Sequence, residues 1–159
     1  MVRQIDAESG FDPSAISPKG ARGIAQVMPD TWQAAIANRW VAPDADITNV
    51  DANLEVHARV MSENMDRYNN DITKSLAAYN AGPNWVDYAL GIRSLAPKTD
   101  ENGNNVTRSD GTVVMVPKPF TAAYRTQEAR EQRRETGTMT RSMLPDETQR
   151  YLTRILQRR

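Results

Sequence analysis

Apolar residues recur at helical spacing in five stretches of this chain. From Val2 to Glu8, Val2 and Ile5 stand three apart, and Ser9-Gly10 supplies a stop. A second stretch begins at Asp30, a good N-cap with Gln33 as its capping-box partner. It carries Trp32, Ala35, Ile36 and Trp40 and is closed by Pro43. A third, from about Asp51 to Tyr68, lines up Leu54, His57, Val60, Met61 and Met65 in one stripe suited to burial. The fourth, DITKSLAAYNAG, is capped by Asp71 and stopped by Gly82-Pro83. The last, PDETQRYLTRILQRR, takes Asp146 as cap and Gln149 at its third position, with Tyr151, Leu152, Ile155 and Leu156 as its apolar face.

Between the fourth and last stretches the pattern changes. KTDENGNNVTRSDGTVVMVPKP is rich in Asn, Asp and Gly and ends in a β-branched run, Val113 to Val116. Asp110-Gly111, lying between Val106-Thr107 and Thr112-Val114, is a hairpin turn signal and predicts a small β-ribbon over about 105–116. The charged segment after it predicts an exposed helix over about 121–135, and TGTMTRSM predicts a loop. No internal repeat is visible. The pattern describes a mainly α chain with one short β excursion.

Composition narrows the function classes. A chain of 159 residues suits one domain, 1–159, around one core. Twenty basic and twenty acidic residues cancel, which removes the electrostatic case for nucleic acid as the main partner. The arginine-rich end reads as a solvated face. Without cysteine there is neither a disulfide nor a thiolate metal site, and no cluster suggests a metal or a phosphate-binding loop, so no cofactor is expected. The first residues lack the apolar core of a signal peptide, and no apolar run reaches the ~20 residues of a membrane span.

Glu8 is the residue with chemical promise. A lone glutamate at a helix end is ordinarily a solvated surface group. Here the loop after it is dense in Gly, Pro and Ser, so backbone can approach a ligand closely. A carboxyl half-buried in such a cleft would have its charged form disfavoured, as a general acid near neutral pH requires. Three motifs in order, ESGFDPSAISPKGARGIAQVMP, AAYNAGP and ETQRYLTRI, together with the Asn53-Leu54 helix start, resemble the lytic transglycosylases of the soluble (Slt) type, relatives of goose-type lysozyme. The likeness covers Gln4 to Tyr88 nearly continuously and then Leu144 to Leu156.

The resemblance implies a lysozyme-like α domain whose cleft binds peptidoglycan glycan strands. It implies Glu8 as the single catalytic acid and base, with Ser9 following it in the family's Glu-Ser pair. It implies Ser17, Gln26 and Met28 as cleft-lining positions, Tyr79 and Asn80 as the Tyr-Asn of the AYNAG motif, and Glu147 as the glutamate of the ET..Y segment facing the same cleft. Trp85, beside the AGP turn, is the candidate for stacking on a sugar, while Trp32 and Trp40 read as core. His57 reads as a packed residue. Most glycosidases need two carboxylates, ~5–5.5 Å apart for retention or ~6.5–9.5 Å for inversion. Asp6, Asp12 and Glu147 are poor second partners by position. The family's solution is implied instead: the N-acetyl carbonyl of the muramic sugar attacks its own anomeric carbon while Glu8 acts as acid, then as base toward the sugar 6-hydroxyl, closing a 1,6-anhydro ring.

The same residues fit two other readings. A lysozyme-type hydrolase on the same fold would use water in place of the 6-hydroxyl. A glycan-binding or structural virion module would keep the cleft without activity. The chain also departs from the family. Only seven residues precede Glu8, where a longer helix is usual, so either the native chain continues upstream of Met1 or another segment packs where the missing turn would be. Residues 84–146 form a family-atypical insertion before the last helix. Such a chain fits a domain carried in a larger virion, secretion or conjugation protein, or a periplasmic enzyme, in each case acting on the cell wall.

Overall fold

The helices begin and end where local chemistry allows. In the computed structural model, which describes residues 1–118 and 139–157, α1 spans Val2–Ser9 and stops at Gly10, left-handed at φ 65°. Helix α2 spans Pro29–Ala37 and α3 spans Val50–Arg67. Helix α4 spans Ile72–Ala81 and α5 spans Pro83–Ala89. After a two-stranded antiparallel sheet, β1 (Leu95–Pro97) and β2 (Met115–Pro117), come a 3-10 turn at Arg141–Met143 and helix α6, Asp146–Leu156.

Several sequence expectations need correction. Met28, not Asp30, precedes the first turn of α2, because Pro29 at the first helical position tolerates a missing N–H. That helix ends well before Pro43: Arg39 turns left-handed at φ 59°, and Trp40 N donates back to Ala35 O at 2.9 Å, closing a Schellman-type end. Gly82-Pro83 does stop α4, but Pro83 also opens α5, a helix not anticipated from the pattern. Asp146 lies inside the first turn of α6 rather than before it. Asp71 caps α4 as expected, its carboxylate accepting from the backbone N–H of Thr73 and Lys74. The expected helix over 121–135 lies outside the described residues.

The ribbon is larger than the span 105–116. Leu95 pairs with Pro117 and Pro97 with Met115, and single bridges join Thr99 to Asn105 and Thr107 to Val113. Lys98 N donates to Val114 O at 2.7 Å, Val106 N to Lys98 O at 2.8 Å, and Val114 N to Val106 O at 2.8 Å. Three chain segments thus bond in a closed cycle. The Asp110-Gly111 turn is present, with Gly111 at φ 82° and Thr112 N donating to Asp110 Oδ1.

The chain divides into two compact units. The first contains Met1–Glu63 and the chain from Tyr151 onward. Its core is Ile5 of α1, Ala25 and Val27 of the following loop, Trp32 and Ala35 of α2, and Val56 of α3. Burying a large side chain of this kind contributes roughly 1.5–3 kcal/mol relative to exposure. The second unit is Asn64–Arg150. There α4 packs on α5, and α5 also meets β2 and the Arg141–Met143 turn. Asp87 of α5 is fully buried and ion-paired with Arg93 Nε at 3.3 Å and with Arg67 at 3.9 Å, and it accepts from the Tyr68 hydroxyl at 3.2 Å. Arg93 also donates to the Lys118 carbonyl, tying the ribbon's return to α5.

Candidate functional site

Glu8 lies in the last turn of α1, half-buried, in the first unit. Its Oε1 accepts a 2.6 Å hydrogen bond from the Tyr151 hydroxyl. The Tyr151 ring is buried, 8% exposed, so its oxygen has little freedom to wander. A phenol can donate to a carboxylate or accept from a carboxylic acid, so one partner serves both protonation states of Glu8. Tyr151 joins the candidate site through this bond, and the sequence pattern does not point to it. Its place on the apolar face of α6 reads as core, and only the hydroxyl tip distinguishes it from Phe.

The loop after Glu8 is stitched into a fixed wall. Ser9 Oγ donates to Ile24 O at 2.7 Å, fastening the loop to the end of α1. Ser17 Oγ accepts from Ala21 N at 3.0 Å, and Gly23 N donates to Ala15 O at 3.0 Å. Isolated bridges Ile16–Arg22 and Arg22–Val27 hold the remainder. The organiser is Asn53, fully buried on α3. Its Oδ1 accepts from Ala25 N, and its Nδ2 donates to Arg22 O and Ile47 O. Gly23, at φ 79°, leaves the space this amide fills: a Cβ there would lie 2.8 Å from Asn53 Cγ and 2.8 Å from Ile47 O.

Gln26 also takes a left-handed backbone, φ 52°, unusual for a residue with a side chain. Its Nε2 donates to Ala15 O at 3.1 Å and Gly23 O at 3.0 Å. With the nitrogen committed to the loop, the amide's other end, Oε1, is an acceptor suited to an amide N–H. Met28 is exposed where the loop enters α2.

The remaining expected residues belong to the second unit. Tyr79 and Asn80 close α4 and are half-buried. Asn80 Oδ1 accepts from Thr148 Oγ1 at 2.8 Å, so the AYNAG and ET..Y segments are joined by side chains. Glu147 is exposed in the first turn of α6, beside the buried Thr148. Trp85 is half-buried and packs edge-on to Tyr88, ring centroids 5.9 Å apart.

Asp12 and Asp6, the two other carboxylates of the first unit weighed as partners for Glu8, are engaged elsewhere. Asp12 Oδ1 accepts from Ser14 N and Ser14 Oγ, which holds this exposed carboxyl below its ordinary range. Asp6 pairs with Arg154 at 3.5 Å.

The family model Transglycosylase SLT domain matches residues 4–101, more than half of the chain. A protein described as Transglycosylase from Enterobacteria phage PRD1 is 30% identical over 113 residues, which cover 69% of this chain and 38% of that protein. The chain therefore spans well under half the length of this relative. Among solved structures, the 70 kDa soluble lytic transglycosylase SLT70 of Escherichia coli superposes over 97% of this chain and 19% of its own, with TM-score 0.61 and 20% identity. At that identity the likeness speaks for the fold.

Proposed function

The chain belongs to the Transglycosylase SLT domain family, and from that membership we propose that it is a peptidoglycan lytic transglycosylase. It cleaves the β-1,4 bond between N-acetylmuramic acid and N-acetylglucosamine and leaves 1,6-anhydro-muramic ends. The observation that carries this reading is Glu8, half-buried, with Oε1 held by Tyr151 and a rigid loop following it.

Protonated Glu8 donates to the glycosidic oxygen as the bond to the muramic C1 breaks. The muramic N-acetyl carbonyl oxygen bonds to C1 from the other side. Glu8, now a carboxylate, takes the proton of the 6-hydroxyl, whose oxygen displaces the acetyl oxygen at C1 and closes the anhydro ring. Oε1 stays with Tyr151, and Oε2 is assigned the moving proton. General acid catalysis of this kind contributes ~10²–10⁴-fold. Gln26 Oε1 accepts the N-acetyl N–H and so aims its carbonyl. Ser9 acts through the loop, given its bond to Ile24 O. Ser17, Met28, Tyr79, Asn80, Trp85 and Glu147 are proposed as contacts to sugar or stem peptide.

The substrate is the glycan strand of the cell wall. The setting we favour is local wall opening during phage entry or the assembly of an envelope-spanning apparatus, suggested by the phage relative. No helix among the described residues is long and apolar enough to cross a membrane.

Digestion of purified sacculi, read by mass spectrometry, tests the proposal. Wild type should release muropeptides lacking one water relative to hydrolysed ends, and Glu8→Gln should release none. Hydrated reducing ends would instead mark a hydrolase, and no release by folded wild type would mark a binding module.

A further inference from the structure

Arg154 stands three positions after Tyr151 on α6, and both reach the C-terminal turn of α1. Its Nη2 donates to the Asp6 carbonyl at 2.8 Å and its Nη1 to the Ala7 carbonyl at 3.2 Å. Nη2 also lies 3.5 Å from Asp6 Oδ2. These carbonyls immediately precede Glu8. At the other end of the same helix pair, Arg3 Nη1 donates to Ile155 O at 3.5 Å. Each of the two helices therefore receives an arginine from the other.

The need for such a contact follows from how α1 ends. The last carbonyls of a helix lack intrahelical partners, and its C-terminus carries partial negative charge. The last turn of α1 contains no basic residue of its own. Gly10 N satisfies the Asp6 carbonyl once, at 3.0 Å. Arg154 brings a second donor to that carbonyl, a donor to Ala7 and a positive charge, all from 148 residues away.

We infer that Arg154 is a positioning residue for Glu8. Its planar fork fixes the height and rotation of the last turn of α1, and that setting brings Glu8 Oε1 within 2.6 Å of the Tyr151 hydroxyl. Arg154 acts through the backbone of Asp6 and Ala7 and touches no reacting atom. A lysine could reach one of these acceptors but could not reproduce the fork. A misplacement of about 1 Å at a catalytic group can cost ~10²-fold in rate. The inference rests on the reading of Glu8 as the proton donor.

The test uses the full chain and soluble glycan oligomers, with anhydro ends counted by mass spectrometry and folded protein by circular dichroism. Arg154→Met should lower kcat per folded molecule about ten- to hundredfold while KM stays within about twofold. Arg154→Lys should recover part of that loss, and it carries the same test should Arg154→Met fail to fold. Glu8→Gln runs beside them. A wild-type kcat per folded molecule in the Arg154 variants, with Glu8→Gln inactive, overturns the positioning role. So does a change confined to KM, or a loss that disappears once rates are normalised to folded protein. An active Glu8→Gln brings down the functional reading itself.

Discussion

The Tyr151 hydroxyl donates to Glu8 Oε1 across 2.6 Å, joining residues 143 positions apart in the chain. Tyr151→Phe removes this oxygen and keeps the buried ring. A hydrogen bond to a charged group is worth about 1.5–3 kcal/mol, so turnover of glycan strands should fall roughly ten- to a hundredfold. Thermal melts should show a loss of stability no larger than about 1.5–3 kcal/mol, because the ring stays buried. Wild-type turnover in Tyr151→Phe would remove Tyr151 from the site.

Gly23 and Asn53 make a second coupled pair. Gly23→Ala places a methyl group against the Asn53 amide and the Ile47 carbonyl at a positive φ, two separate sources of strain. The expected cost is roughly 1–3 kcal/mol from either source. Asn53→Ala leaves Ala25 N, Arg22 O and Ile47 O without their side-chain partner and should cost several times the ~1 kcal/mol of a single hydrogen bond. In urea denaturation the double variant should be more stable than the sum of the single losses implies, because the smaller residue 53 relieves the clash. Strict additivity would contradict the geometry.

His57 is 1% exposed on α3, and burial, with a smaller contribution from the positive N-terminus, lowers its pKa from 6.5 to about 4. As pH falls through 6.5 the unfolded chain takes up a proton that the folded chain refuses. Stability from this group is therefore complete above about pH 6.5, declines between 6.5 and about 4, and changes no further below that. Urea midpoints measured from pH 7 to pH 4 should show this decline, and His57→Gln should flatten it. An unchanged slope in the variant would assign the effect to other groups.

Asp87→Ala should be among the most damaging single changes in the second unit. It withdraws the counter-charge of Arg93 and Arg67 and the acceptor of Tyr68. Breaking a buried pair in this way costs ~3–5 kcal/mol. Because Arg93 also holds the Lys118 carbonyl, amide hydrogen exchange should quicken along β2 more than in α4. Uniform exchange across the unit would argue against that link.

Much of this arrangement is legible in the chain itself, where signals are local. Asp71 announces α4 because an N-cap needs only its next three residues. Glu8 and the loop after it can be read because ESGF and the glycines carry their own pattern. What escapes is non-local or ambiguous. Pro83 reads as a stop after Gly82, yet the same ring suits a first helical position, so one residue ends α4 and starts α5. Leu95-Ala96-Pro97 has neither alternation nor β-branching, and its partnership with Met115–Pro117 comes from distant pairing. Tyr151 hides because helical periodicity reports which face a ring occupies and says nothing of where its oxygen points. Gln26 is legible as a candidate through the likeness of its loop to the family, but the commitment of its nitrogen to Ala15 and Gly23 depends on a φ of 52° that no sequence pattern signals.

The cycle formed by Lys98, Val106 and Val114 has a consequence for self-association. An open strand edge is a template on which another chain can add, and proteins usually blunt it with charge, proline or a bulge. At this level of the ribbon each of the three residues donates its N–H to the next segment and receives one at its carbonyl. No row of amides is left facing outward there. At this level the excursion's own backbone occupies the hydrogen-bonding groups on which a further copy of the chain could have added.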